Sequence, residues 1–338
     1  MQTALGMLGS QTQIAGPPAP IAHPAISRPT KCTKSVRPGG RWRSRSATLA
    51  ADCTSSNGPA MTSSATHLPS IAFIGGGNMA SAIIGGLRRQ GLAADQIQVV
   101  EPLAEQRRRL EAEWGVVTLA DSQASLARAQ LVVWAIKPQI FAQAAQQAGP
   151  HTASALHLSV AAGIPSDSMA AWLGSQRIVR AMPNTPALIG RGITGLFARP
   201  AVSAAERQAV ETVIGTTGQW LWLEREDLLD AVTALSGSGP AYVFYFLEAM
   251  MAAGEQLGLS ATQSRQLALA TFGGASALAD GSNEAPAVLR ERVTSKGGTT
   301  YAAISAMDAA DLKAQFMAAI TAAKDRAREL GQEFGQKP

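Results

Sequence analysis

The segment Ile74-Gly75-Gly76-Gly77-Asn78-Met79-Ala80 spaces two glycines and an alanine as G-x-G-x-x-A. Each position suits a dinucleotide phosphate. Gly75 permits a tight turn, Gly77 lets the backbone approach a pyrophosphate, and Ala80 lets the next helix pack against its strand. Backbone amides around Gly76, Asn78 and Met79, where that helix starts, then face the phosphate charge. Glycine-rich turns without ligands also exist, but this one lies between an apolar run and a helical segment, the context of a nucleotide-binding βαβ unit. Glu101 closes the next apolar run some 24 residues after Gly77, where a carboxylate accepts hydrogen bonds from an adenosine ribose. Its charge repels a 2′-phosphate and favours NADH. Arg107, Arg108 and Arg109 follow, and they either supply opposing charge to NADPH or form a solvated helix face. The chemistry expected is hydride transfer with NADPH or NADH.

These residues need a scaffold that brings them to one edge. Short apolar runs at 71–74, 97–100, 131–136 and 156–160 alternate with helical segments, and further strands are expected at 177–181, 193–198 and 219–223. Continuous apolar strands separated by helices predict an α/β Rossmann domain, with a doubly wound and mostly parallel sheet covered on both faces. We assign it to residues 68–226. After Glu226 the β-branched clusters stop and Ala- and Leu-rich helical pattern takes over. Residues 227–332 are expected to form an all-α domain, opening on a long helix through Tyr242, Phe246 and Met250. Tyr242 and Phe246 lie one turn apart and read as core or dimer packing.

Composition excludes several alternatives. With 338 residues, 46% hydrophobic and 16% charged, the chain is long and apolar enough for two packed domains. Aromatic residues make up 5%, too few for a base-stacking surface, so no nucleic-acid partner is expected. No uninterrupted apolar stretch reaches transmembrane length. The net charge of +5 resides in the first 60 residues, which carry +6, whereas the remainder is near −1. Gly, Pro, Ser and Thr supply 26 of those 60 residues without amphipathic period, so residues 1–67 are expected to be a disordered basic extension. Its origin is a targeting segment, an interaction arm or sequence read from too early a start, the last being preferred because Met61 opens the segment before the first strand. Both cysteines, Cys32 and Cys53, fall in that extension. The body then has no disulfide, catalytic thiolate or thiolate metal site, which suits the cytoplasm. Of the four histidines only His157 sits in an apolar run, as a hydrogen-bonded core residue rather than a general base.

Six segments in order extend the pattern: Phe73 to Ala80; Ile136-Lys137-Pro138-Gln139; Ala161-Ala162-Gly163-Ile164; Met182-Pro183-Asn184-Thr185-Pro186; Asp230 to Tyr242; and Val293-Thr294-Ser295-Lys296-Gly297-Gly298-Thr299-Thr300. Together they resemble the Δ1-pyrroline-5-carboxylate reductase family over residues 70–332. The resemblance implies reduction of 1-pyrroline-5-carboxylate to L-proline by NAD(P)H, the last step of proline biosynthesis. It implies a helical domain that dimerises by intertwining, with each active site completed near the subunit boundary and dimers assembling further, commonly into decamers. It places the nicotinamide near Ala135, Lys137, Pro138, Pro183 and Asn184, with Ala161 in the wall, and the substrate near Ser236, Gly239 and Pro240. The loop Ser295, Gly297, Gly298, Thr299 and Thr300 meets the substrate carboxylate and ring nitrogen, with Thr300 as the catalytic hydroxyl.

The physical reading agrees. A cyclic imine bearing a carboxylate needs an anion clamp and a hydrogen-bond partner at nitrogen, and Gly297-Gly298 expose consecutive amides beside a helix start. No nucleophile or metal is needed. Lys137 on its own fits a surface-loop lysine as well as a coenzyme contact. The segment Ser236 to Pro240 could be only a helix-entry loop, and its spacing is not that of a hydrolase G-x-S-x-G. Two positions depart from the family's pattern: Lys296 stands where many relatives have proline, and Glu101, with Ser122 on a neighbouring loop, stands where NADPH-preferring relatives use a small polar residue and asparagine. A reductase for another small cyclic imine or keto acid, and a scaffold that binds coenzyme without turnover, are the alternative readings.

Overall fold

The computed structural model describes residues 70–335. The expected basic extension and both cysteines lie outside the described residues. The chain opens with β1 (Ile71–Ile74), α1 (Asn78–Arg89), β2 (Ile97–Val100), α2 (Ala104–Trp114), β3 (Val117–Leu119) and β4 (Leu131–Trp134). Then come α3 (Phe141–Thr152), β5 (Leu156–Ser159), α4 (Ser166–Leu173), β6 (Ile178–Met182), β7 (Gly192–Ala198), α5 (Ala204–Gly215) and β8 (Gly218–Trp222). The strands form one sheet in the order β3-β2-β1-β4-β5-β6-β7-β8.

Every pairing is parallel except β6 with β7. A parallel return needs a crossover of a dozen or more residues, and only a short segment with one 3-10 turn, Thr185–Ile189, separates β6 from β7. The chain therefore doubles back, and α5 then restores parallel pairing of β8. The strand at 117–119 was not anticipated: it is short, half-exposed and at the sheet edge. The run expected at 131–136 leaves the sheet after Trp134.

Period-two alternation sorts the core into two layers. Ile71 and Phe73 meet Ile83, Ile84 and Leu87 of α1 and Val213 of α5. Ala72 and Ile74 face the layer containing Phe141 of α3 and Met169 of α4. Both faces are thus covered, as expected for a doubly wound sheet.

His157 lies on β5 with 1% exposure, and its Nδ1 accepts a hydrogen bond from Trp134 Nε1–H at 3.1 Å. Its Nε2 is buried without a hydrogen-bond partner, so the neutral ring is the form the core accommodates. Burial, aided by the charge of Arg177, pushes its pKa down from 6.5 to about 4. The unfolded chain binds that proton below about pH 6.5 while the folded protein resists it. Stability from this group is therefore complete above pH 6.5 and is lost as pH falls towards 4, by about 3 kcal/mol in all. His157→Gln keeps an acceptor for Trp134 but does not titrate. Urea unfolding at about pH 7 and about pH 4.5 should show a steeper loss in the parent than in this variant; equal losses would remove His157 as the cause.

The helical half comprises α6 (Leu228–Val232), a π turn (Thr233–Gly237), α7 (Gly239–Gln256), α8 (Ala261–Asp280), α9 (Pro286–Arg292), α10 (Thr299–Ala309) and α11 (Leu312–Gly335). The segment Ser236 to Pro240 therefore runs from the end of the π turn through a bend at Ser238 into the first turn of α7. Pro240 has no N–H to return to the Ser236 carbonyl, and Ser238 N–H instead reaches Thr233 O at 2.8 Å. Tyr242 and Phe246 pack edge-on against Phe316 of α11, with centroids 5.7 and 5.4 Å away. Among the described residues no helix is long and apolar enough to cross a membrane.

Candidate active site

Parallel strands end on the same side of a sheet, and the predicted coenzyme residues use that edge six times. Gly75 to Met79 follow β1, Glu101 follows β2, Ser122 follows β3, Ala135 to Pro138 follow β4, Ala161 follows β5, and Pro183 and Asn184 follow β6. The strand order reverses between β1 and β4, which opens a crevice of the kind that holds nucleotides in such sheets.

Gly75 has φ +95°, a left-handed value that favours glycine. Its N–H bonds to Val100 O at 2.8 Å. A Cβ here would stand 2.5 Å from Ala135 O and 2.6 Å from Ile136 Cγ2, so the turn after β1 lies directly against the loop after β4. Gly77 differs: a Cβ there would meet nothing within 4 Å. That open side, at the start of α1 with no acidic residue in its first turn, leaves room and favourable potential for a pyrophosphate. Ala80 is fully buried between helix and sheet. These residues fit a dinucleotide.

Glu101 Oε2 accepts from Gly76 N–H and Oε1 from Leu103 N–H, each at 2.9 Å. Gln106 Nε2 donates to Gly76 O, so the glycine turn is held at both its amide and its carbonyl. Sequence reasoning missed Gln106; the signal was an amide side chain on the helix that follows the acidic residue. Lys137 is exposed and precedes the 3-10 turn Pro138–Ile140. Among the described residues no group of three or more His, Cys, Asp or Glu side chains could hold a metal.

The helical half packs on this edge through Leu330 and Phe334 of α11, which face Gly163 after β5, and bonds to it through Asn184 after β6. Asn184 Oδ1 accepts from Ile193 N–H at 3.0 Å, and its Nδ2 donates to Ser236 Oγ at 3.2 Å. Asn184, Ser236, Gly239 and Pro240 line one largely apolar groove of about 740 Å³ together with Tyr242 and Phe246, a volume suited to a small-molecule site.

The residues at 295–300 stand apart. Gly297 has φ +75°, Gly298 N–H closes the turn on Ser295 O at 3.0 Å, and Thr300 is the second residue of α10, whose first turn has no acid. Among the described residues no hydrogen bond or ion pair joins this loop to the sheet edge, and neither α9 nor α10 buries a residue. One chain therefore assembles the predicted coenzyme residues but leaves the predicted substrate loop apart from them.

A second unanticipated cluster marks the seam between the halves. Glu226 accepts from Ser166 N–H at 2.6 Å, from Ser166 Oγ–H, and from Arg180 Nη1 at 2.7 Å. The sequence signal was Arg180, a charge inside an otherwise apolar strand.

Comparison with known proteins agrees with this division. Residues 226–330 match the family model described as pyrroline-5-carboxylate reductase dimerisation. Residues 70–163 match that described as NADP oxidoreductase, coenzyme F420-dependent. The pyrroline-5-carboxylate reductase of Pseudomonas aeruginosa is 46% identical over 79% of this chain and 99% of its own length. That of Haemophilus influenzae is 40% identical over 77% and 97%. Among solved structures, the Coxiella burnetii pyrroline-5-carboxylate reductase superposes with a TM-score of 0.73 at 36% identity, covering 78% of this chain and 98% of that one. The Plasmodium falciparum pyrroline carboxylate reductase, solved with NADP bound, gives a TM-score of 0.70 at 27% identity, with 78% and 98% covered. With its coenzyme edge, its helical dimerisation half and this likeness along the whole described body, the chain belongs to the pyrroline-5-carboxylate reductase family.

Proposed function

We propose that this protein reduces 1-pyrroline-5-carboxylate to L-proline with NAD(P)H, the last step of proline biosynthesis. The observation that carries the reading is the Asn184 to Ser236 bond, which ties the helical half to the loop after β6, one of the six loops at the edge where the predicted coenzyme residues gather. Reduced nicotinamide, when bound, supplies the hydride that the imine carbon accepts. The chain supplies position and electrostatics. Gly75, Gly76, Gly77, Asn78 and Met79 cradle the pyrophosphate, Glu101 and Ser122 flank the adenosine ribose, and Ala135, Lys137, Pro138, Ala161, Pro183 and Asn184 wall the nicotinamide. Ser295, Gly297, Gly298 and Thr299 clamp the substrate carboxylate through amides and hydroxyls, with Ser236, Gly239 and Pro240 closing the pocket. The Thr300 hydroxyl holds the ring nitrogen, where a proton completes the amine.

Since the 295–300 loop stands apart from its own coenzyme edge, the site is completed across the boundary of a homodimer, with a decamer as the further assembly. We assign a Rossmann domain to residues 68–226 and a dimerisation domain to 227–332, with Glu226 at the boundary. We place the enzyme in the cytoplasm. The first test is absorbance decay at the reduced-nicotinamide band with the imine and each coenzyme in parallel. Rapid decay supports the reading; no decay with either coenzyme overturns it.

Thr300→Ala leaves the ring nitrogen without its partner. The expected cost is about 1–3 kcal/mol of transition-state binding, roughly five- to 150-fold in kcat/KM, with coenzyme affinity unchanged. Unchanged steady-state kinetics would remove Thr300 from the site.

A further inference from the structure

Glu101 is 8% exposed, and each of its carboxylate oxygens already accepts one backbone amide, from Gly76 and from Leu103. Those two bonds fix where the charge stands, at the end of β2 beside the glycine turn. A carboxylate offers about four acceptor positions and no donor, so the positions left open suit hydroxyl groups. A phosphate oxygen brings only more negative charge and no proton to share. The decisive question is whether a cation nearby offsets that repulsion.

Arg107 is positioned to do so, but one nitrogen of its guanidinium is held by main-chain carbonyls. Its Nη1 donates to Glu101 O at 2.8 Å and to Pro102 O at 2.9 Å, so it braces the main chain of the same corner. Arg109 pairs along the helix with Glu113 at 3.7 Å. Arg108 is exposed and lies about 100° round the helix from Arg107. The carboxylate therefore stands at the corner where an adenosine ribose would lie, while the arginine beside it is anchored to carbonyl groups.

Resting on the coenzyme reading above, we infer that the site takes NADH in preference to NADPH, and that Glu101 is the residue that discriminates. Family membership does not decide this point, because the discrimination lies in the corner 101–107 of this chain. Glu101 has a second task in holding the Gly76 amide. A variant that removes the charge but keeps an acceptor, Glu101→Gln, thus separates charge repulsion from loop positioning better than Glu101→Ser alone.

The test is a binding titration of the full chain, following nicotinamide fluorescence with NADH and with NADPH and without imine. Like-charge juxtaposition predicts that the parent binds NADH about tenfold or more tightly. Glu101→Gln and Glu101→Ser should each move the ratio of dissociation constants towards NADPH by about tenfold, whereas Arg107→Ala and Arg108→Ala should leave it within about twofold. Circular dichroism melts establish that each variant is folded. Parent protein binding NADPH as tightly as NADH overturns the inference, even where a variant fails to fold. So does selective loss of NADPH on removing Arg107 or Arg108, or an unmoved ratio in both Glu101 variants. If the parent binds NADH preferentially but oxidises neither coenzyme with the imine, the reductase reading fails while this inference stands.

Discussion

Gly75→Ala is expected to reduce coenzyme affinity by more than about 100-fold and to cost about 2–4 kcal/mol of stability. The backbone at φ +95° already disfavours any side chain. The added methyl would also meet the Ala135 carbonyl oxygen at 2.5 Å. That carbonyl cannot retreat as a flexible side chain would, because Ala135 N–H is bonded to Ile74 O at 2.8 Å. The strain must instead push the glycine turn off the β4 loop and displace the amides proposed to cradle phosphate. Thermal melts and a fluorescence titration measure the two effects. Near-parental affinity would show that the turn does not carry the coenzyme.

The second large effect is expected at the seam. Glu226→Ala removes the acceptor of Ser166 N–H and leaves the guanidinium of Arg180, whose side chain is only 11% exposed, without its ion-pair partner. Arg180 Nε already lacks a hydrogen-bond partner, and the carboxyl of Asp230, which lines the same pocket and feels the Arg180 charge, offsets only part of the loss. Leaving a charge buried and unpaired typically costs about 3–5 kcal/mol, and the partial exposure of Glu226 places the expectation near the lower end. Turnover should fall as well, since Glu226 sits just ahead of α6 and the π turn that presents Ser236 to Asn184. Urea unfolding provides the measurement, and Arg180→Met in the Glu226→Ala background should recover part of the loss by removing the stranded charge. A single variant as stable as the parent would show that the ion pair is dispensable.

The coenzyme edge was legible because each of its parts has a local signature: an apolar run, a glycine turn, an acid at the next strand end. β-strand runs such as Leu131 to Trp134 stand out since both of their faces are buried. Val117–Leu119 lacks that signature because it sits at the sheet edge and is half-exposed. The π turn needed the missing N–H of Pro240 to be weighed together with the glycines around it. Glu226 and Gln106 were missed for a different reason: Arg180 within its strand and the amide after the acid marked the places but not the partners. Their partners, Ser166 and Gly76, are distant in sequence, and nothing local records a bond made across 60 or 30 residues. The loop 295–300 was legible as chemistry through its resemblance, whereas its separation from the coenzyme edge of the same chain is a property of the folded helices.

The helical half exposes large apolar side chains, including Leu257 at 84% and Leu278 at 75%, while α9 and α10 bury none. The sheet half, by contrast, encloses two complete core layers of its own. The two halves therefore differ in what their folding depends on. The first buries its core within one chain, whereas the second buries only a few side chains such as Leu247 and Ala268 and leaves large apolar ones for the second copy that a dimerisation domain implies, so its stability is tied to protein concentration by mass action.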